Sequence, residues 1–346
     1  MKQALPLRLC FVGPMVGRNR GYVTTPGEIL SDHFNDAGYF VISVSSSPNR
    51  YVRLADIVTT LIRCRRDIDV LIVQVYGERS FVVEDIASAI GQRFGHRIVM
   101  VLHGGTLPDF MNRFPNWTRR VLSRAHALVA PSEFLARAVI PYGFRARVIP
   151  NLIDLSVYPY RYRQTVTPRL FWMRGFYPYY NPTMAVRALD LIRSKLPEAT
   201  LVMAGPDLGI KNDVRKLVKD LGVERAVSFP GFLDMEGKIR IGNSTDIFLN
   251  TNNIDNMPVA VLEACAMGLP VVATNVGGIS DLLTDEKTAL LVPDNNIELM
   301  VEAVYRLVNE PGLAGILSSN GRQLAERASW QNICPQWKQV FADVGL

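Results

Sequence analysis

Cysteine is scarce and scattered: Cys10, Cys64, Cys265 and Cys334 in 346 residues, with no C-x-x-C pair. That spacing argues against a disulfide framework or a thiolate metal cage, and suits a reducing compartment such as the cytoplasm. Apolar runs of the roughly 18 to 20 residues that a spanning helix needs are missing. Residues 1–8 are broken by Pro6 and Arg8 and lead straight into a strand, so they predict no signal peptide. There is no low-complexity tract and no block of like charge. After the first strand, Gly13-Pro14-Met15-Val16-Gly17 lacks the G-x-G-x-x-G of a dinucleotide fold, which disfavours a nicotinamide dehydrogenase.

What is present is a globular composition, 48% hydrophobic and 20% charged, on a chain long enough for two domains. The net charge of +6 is uneven: residues 1–160 hold 19 Lys and Arg against 12 Asp and Glu. A basic first half suits an anionic bilayer, phosphorylated ligands or plain solvation. No recognisable module accompanies the charge, so nucleic acid is not expected as a partner.

Short runs of Val, Ile and Leu alternate with helical patterns throughout. Strands are expected at 8–13, 40–44, 70–76, 98–103, 127–130 and 147–150. After a Tyr-, Arg- and Pro-rich linker at 158–168 a second series follows, at 170–174, 200–204, 227–229, 247–250, 271–274 and 289–292. Continuous apolar strands such as Val70-Leu71-Ile72-Val73 imply burial on both faces, as in a parallel sheet covered by helices. The pattern therefore predicts an α/β chain of two Rossmann-like, doubly wound domains, 1–163 and 164–329, with ligands in the cleft between them. A helical segment at 328–344, kinked or restarted at Pro335, is expected to cap a core.

The most informative stretch runs from Asp255 to Thr274 as loop, helix, glycine stop and strand. Pro258 suits the first helical turn, and Gly268 the C-terminal stop. Free amides at that helix start would suit a diphosphate. Glu263 is a carboxylate on an otherwise apolar helix, where its partners would be local backbone or an Arg in a structural role, or ligand hydroxyls in a functional one.

This stretch, with Asn275-Val276-Gly277-Gly278-Ile279 after it, resembles the signature of glycosyltransferase family 4: an acid, seven residues, a second acid, then Ala-x-Ala-x-Gly-x-Pro-Val-Val. Val148-Ile149-Pro150-Asn151, Ala130-Pro131-Ser132-Glu133, Val202-Met203-Ala204-Gly205-Pro206 and Val227-Ser228-Phe229-Pro230-Gly231 fall in register with the same family. The resemblance implies the GT-B fold, with residues 330–346 packing back on the first domain. It implies a retaining transfer from a nucleotide diphosphate sugar, with no cofactor and no metal. Glu263 would hold the ribose, Arg174 the diphosphate, and Asp255 and His103 the donor sugar. Asn256, Met257 and Pro258 would support sugar and phosphate, with Gly205, Gly231 and Tyr180 lining the donor site. Pro26 and Gly27 would form an acceptor or phosphate loop.

Two positions depart from the family pattern. The first acid is Asp255 rather than Glu, which shortens its reach by about 1.5 Å. Tyr179 or Tyr180 stands where the family usually has a second phosphate-binding Lys, so about 1 kcal/mol or more of charged hydrogen bonding is expected to be lost unless Lys211 or Lys238 supplies it. That loss makes a catalytically silent nucleotide-sugar binder or partner subunit the alternative to an enzyme; a GT-B epimerase is disfavoured by the ordered motifs. The acceptor is not named by any motif; a sugar, lipid-linked or small-molecule acceptor is the expectation, in envelope glycolipid or polysaccharide synthesis. Arg113, Trp117, Arg119, Arg120 and Arg124 form a basic, aromatic face expected on one helix after His103, a candidate for peripheral contact with an anionic membrane.

Overall fold

A computed structural model describes residues 7–19 and 21–346; the opening residues 1–6, expected to carry no signal peptide, lie outside the described residues. The chain divides into two compact units, one formed by residues up to Leu152 together with Trp330–Leu346, the other by Ile153–Ser329.

In the first unit, strands β1 (Arg8–Val12), β2 (Phe40–Val44), β3 (Val70–Val75), β4 (Arg97–Leu102), β5 (Ala127–Ala130) and β6 (Ala146–Val148) form one parallel sheet. Its order is β2-β1-β3-β4-β5-β6. Helices α1 (Pro26–Asp36), α2 (Arg50–Arg63), α3 (Phe81–Arg93), α4 (Leu107–Arg113), α5 (Pro115–Leu122) and α6 (Glu133–Ala138) connect the strands. Strand β3 is buried along its whole length, because its alternate side chains enter two different cores: Leu71 and Val73 on one face, Val70 and Ile72 on the other. The C-terminal helix Trp330–Asp343 covers the second of these faces, with Trp337 and Phe341 packed on Phe34 of α1. It runs unbroken through Pro335 rather than restarting there. Pro335 is exposed, and burial of Ile333, Trp337, Val340 and Phe341 offsets the one backbone bond it forgoes.

The second unit repeats the plan with β7 (Arg169–Met173), β8 (Thr200–Ala204), β9 (Val227–Gly231), β10 (Ile247–Asn250), β11 (Val271–Thr274) and β12 (Leu290–Val292), all parallel. Its helices are α7 (Pro182–Arg193), α8 (Lys211–Asp220), α9 (Met235–Ser244), α10 (Val259–Ala266), α11 (Ile279–Leu282), α12 (Ile297–Asn309) and α13 (Leu313–Arg327). Trp172 and Phe171, neighbours on β7, are fully buried on opposite faces. Pro230 is tolerated in β9 because that strand is an edge and needs no donor on its outer side.

The two sheets differ in a way that periodicity does not reveal. The order β12-β11-β10-β7-β8-β9 is the Rossmann arrangement, reversing between β7 and β10, whereas the first unit follows the flavodoxin-like arrangement and reverses between β1 and β3. Ligands of open α/β sheets bind beyond the strand carboxyl ends at such reversals.

The division at 152/153 precedes the 163/164 boundary expected from the linker. Residues 153–163 belong to the second unit because Arg163 is buried there, donating to the carbonyls of Met267 at 2.7 Å and Gly242 at 2.6 Å.

Candidate active site

At the reversal of the second sheet, the chain leaves β7 through Arg174 and leaves β10 through Thr251, Asn252 and Asp255. Arg174 continues the ladder, its main-chain N–H donating to Ala204 O at 3.1 Å. Its side chain ion-pairs with Asp255 Oδ2 and stacks on Tyr180, with Cζ 4.2 Å from the ring centroid. Asp255 is fully engaged: Oδ2 also accepts from Asn252 Nδ2 at 2.6 Å, and Oδ1 accepts the main-chain N–H of Asn256 at 2.7 Å. One methylene shorter than the family acid, it is turned onto Arg174. The Asn256 amide, expected to hold a ligand phosphate, is likewise turned inward onto Asp255.

Two glycines make this geometry possible. A Cβ on Gly205, whose φ is +145°, would lie 1.8 Å from the carbonyl oxygen of Arg174. A Cβ on Gly277 would lie 2.1 Å from that of Asp255, and Gly278 N–H donates to the same oxygen at 3.0 Å. Gly205 thus serves close packing of β8 against the end of β7, whereas Gly231, at φ +87°, has open space around it. The role of Gly277 was not read from the sequence; a Gly-Gly pair just beyond a strand was the available signal.

Helix α10 carries the second acid. Pro258 occupies its N-cap rather than the first turn where it was expected, its carbonyl accepting from Val261 at 3.0 Å. Gly268, at φ +76°, ends the helix as its sequence predicts. Met257 is buried at the helix start. Glu263 is buried, and its Oε1 accepts from Lys238 Nζ at 2.6 Å and from the Tyr158 hydroxyl at 2.7 Å. Burial, the Glu263 charge and this hydrogen bond all push the Tyr158 phenol upward. The partner is therefore a lysine and a phenol, neither of them identifiable from spacing. Lys238, a candidate for the missing phosphate cation, is spent on Glu263. Lys211, the other candidate, lies with Nζ 5.1 Å from the centroid of Phe176. Tyr179 is half exposed at the surface, and only Tyr180 meets Arg174.

The first unit holds the remaining candidates. His103 follows β4 and is buried, its Nε2 lying 2.7 Å from Gln74 Oε1 and its ring stacked 4.7 Å from Tyr76. Burial pushes its pKa down to about 3, so the imidazole is neutral. Gln74 lies on β3 beside the reversal of this sheet, and its Nε2 has no hydrogen-bond partner among the described residues. A Cβ on Gly27 would fall 2.9 Å from the Gln74 amide, so Gly27 admits that side chain against α1. Pro26 opens α1 at its first turn behind the Thr25 cap, and Glu28 closes a capping box while accepting Gly17 N–H at 2.8 Å. A lone amide in an otherwise apolar central strand was the sequence signal for Gln74, and it was missed.

The basic face after His103 is not one helix but two, because Pro115 starts α5 afresh. Trp117 Nε1, Arg120 and Arg124 converge on the Asp85 carboxylate at 2.7, 2.5 and 2.6 Å. Arg113 lies over the Phe114 ring at 5.3 Å. Trp117, Arg120 and Arg124 thereby tie α5 to α3 through Asp85, while Arg113, Arg119 and Arg120 remain exposed. No helix among the described residues is long and apolar enough to cross a membrane.

Comparison with known proteins agrees with this architecture. The model for glycosyl transferases group 1 matches residues 166–324, and the model for Glycosyltransferase Family 4 matches residues 23–157. The D-inositol 3-phosphate glycosyltransferase of Saccharomonospora viridis is 32% identical over 174 residues, 48% of this chain and 40% of that protein. Its counterpart in Acidothermus cellulolyticus is 25% identical over 292 residues, 75% of this chain and 64% of that protein. The match thus spans less than two thirds of the length of either relative. Among solved structures, HepE of Anabaena in complex with UDP and glucose superposes with a TM-score of 0.78 at 15% identity, over 97% of this chain and 99% of that one. Sucrose-phosphate synthase of Thermosynechococcus elongatus superposes at 0.79 and 14% identity, over 98% and 99%. At such identities the likeness speaks for the fold. With two family models matched in succession along it, the chain belongs to the group 1, family 4-like glycosyltransferases of GT-B fold.

Proposed function

We propose that this protein transfers a sugar from a nucleotide diphosphate sugar to an acceptor hydroxyl with retention at the anomeric carbon. The observation that carries the reading is Arg174, a guanidinium at the carboxyl end of β7 beside the strand-order reversal, where an open sheet receives a ligand. Breaking the anomeric bond builds negative charge on the departing diphosphate. A fixed guanidinium stabilises that charge better than a mobile ammonium, since its planar fork can meet two phosphate oxygens at once. Glu263 is held in place through Oε1 by Lys238 and Tyr158, and its other oxygen, Oε2, is assigned to the ribose hydroxyls. His103 is assigned, by its resemblance to the family histidine, to a hydroxyl of the donor sugar; as a neutral ring donating Nε2–H to Gln74 Oε1, it keeps Nδ1 as an acceptor for that hydroxyl.

The Anabaena neighbour is a complex with UDP and glucose, which makes a UDP-sugar the first donor to try. Thermal shift against UDP-, GDP- and ADP-sugars tests the assignment, because a ligand selective for the native state raises its melting temperature by mass action. Arg174→Ala should abolish the shift and the turnover of the selected donor. Stabilisation unchanged in that variant would overturn the reading.

The second reading, a nucleotide-sugar-binding subunit without turnover, draws on Tyr180 in place of a phosphate-binding cation. Donor consumption in the presence of candidate acceptors separates the two: binding with no consumption favours the subunit.

A further inference from the structure

The position that lacks the expected cation is not empty of function. Tyr180 ends the turn Pro178–Tyr180, and its ring carries the guanidinium of Arg174 at 4.2 Å. Arg174 Nε is buried and has no hydrogen-bond partner among the described residues, so the π-face of Tyr180 compensates the desolvated edge of that group. We infer that Tyr180 is a positioning residue: its ring, not its hydroxyl, aims the Arg174 fork at the diphosphate. This deepens the donor-site reading above and rests on it.

The turn is built to hold that ring still. The Thr251 hydroxyl accepts from Trp172 Nε1 at 3.0 Å and is shared between the carbonyls of Tyr180 at 2.8 Å and Asn181 at 2.9 Å. Trp172 is fully buried in β7, so the turn is tied to the core of the sheet that also carries Arg174. Asn181, in the left-handed region at φ +44°, then caps α7 through the main-chain N–H of Met184 at 3.3 Å. Tyr180 is thus fixed from β7, from the end of β10 and from the start of α7.

The chemistry of the arrangement is specific. Asp255 pairs with Nη2 of the same guanidinium, and its carboxylate orients the fork but also cancels part of its charge. A neutral ring orients without cancelling, and leaves the cation available to an incoming anion. A lysine in this turn would add charge but would crowd a second cation against Arg174. In this chain one well-aimed guanidinium takes the place of two cations, and alignment does what added charge does elsewhere.

The hydroxyl and the ring are separable by substitution. The probe is whichever of UDP, GDP and ADP binds the wild-type chain most tightly by calorimetry, compared with its nucleoside, which lacks the diphosphate. Tyr180→Phe should keep the dissociation constant within about 2-fold of wild type. Tyr180→Leu should weaken the diphosphate by about 5- to 10-fold, the span of one partly desolvated cation–π contact, and leave nucleoside binding unchanged. In an Arg174→Ala background Tyr180→Leu should have no further effect. Melting curves of each variant establish that it is folded. Equal losses in the Phe and Leu variants would make the hydroxyl the ligand and overturn the inference, as would a Leu variant that binds like wild type while Arg174→Ala does not. Undiminished diphosphate binding by Arg174→Ala would instead bring down the donor-site reading on which the inference stands.

Discussion

Lys238 Nζ lies 2.6 Å from Glu263 Oε1, so the buried acid of α10 has its counterion on α9, in the same unit. The lysine expected as a substitute phosphate ligand is the one that orients Glu263. Removing it strands a carboxylate in a site where only 7% of that side chain is exposed. Breaking one partner of a fully buried pair costs about 3–5 kcal/mol, and the partial exposure of Lys238 brings the expectation for Lys238→Met to about 2 kcal/mol. Denaturant unfolding measures it. Adding Glu263→Gln should recover most of the loss, and a double variant no more stable than Lys238→Met would contradict the pairing.

Gly205 tests the backbone under Arg174. A methyl there would sit 1.8 Å from Arg174 O at a φ of +145°, a region closed to residues with a side chain. Gly205→Ala should lower the melting temperature by several degrees, corresponding to about 2–3 kcal/mol or more of clash and strain. Donor binding should fall with it, because Arg174 must shift. Gly231→Ala, with open space around it, should cost only about 1–2 kcal/mol of left-handed strain and leave Arg174 in place.

Glu84 gives the first unit a distinctive pH dependence. Burial pushes its pKa up to about 8 from the usual 4.5, against hydrogen bonds from Tyr76, Ser80 and Gly77 that act the other way. The folded state therefore binds a proton that the unfolded chain has released, and stability declines as pH rises from 4.5 to 8, by at most about 1.4 kcal/mol per pH unit. Glu84→Gln should flatten that decline, gaining on wild type between pH 5 and 8 and losing the advantage near pH 4. His103 acts with the opposite sign: with its pKa lowered from 6.5 to about 3, stability is lost as pH falls through that window. A Glu84→Gln chain whose advantage grows toward acid would refute the assignment.

Asp246 is the hub that attaches residues 153–169 to the second unit. It accepts from Arg161 at 2.6 Å, Thr167 Oγ1 at 2.6 Å and Arg169 Nη2 at 2.8 Å. Burial alone would raise its pKa, but the Thr167 and Arg169 hydrogen bonds win and hold it below the usual value. Asp246→Ala leaves Arg163, which burial has already pushed down to about 9, among arginines without a countercharge. The expected loss is about 3–5 kcal/mol, with early proteolytic cleavage within 153–168 as its local signature.

The order of elements, the double-sheet class and the family were legible from sequence because each is written locally. A strand buried on both faces must be apolar almost throughout, as β3 is apart from Gln74 and β7 is after Arg169; a helix entered by Pro258 and ended by Gly268 advertises its bounds. Seven residues between Asp255 and Glu263 survive any change of surface. Tertiary structure decided what those residues touch. Asp255 meets Arg174 across 81 positions, Lys238 meets Glu263 across 25, and Trp117 reaches Asp85 across 32. Local pattern cannot state such pairings, because periodicity fixes the face on which a side chain lies, and only packing of one element against another selects its partner. Strand order obeys the same limit: identical alternation of strand and helix closed into a flavodoxin-like sheet in one unit and a Rossmann sheet in the other.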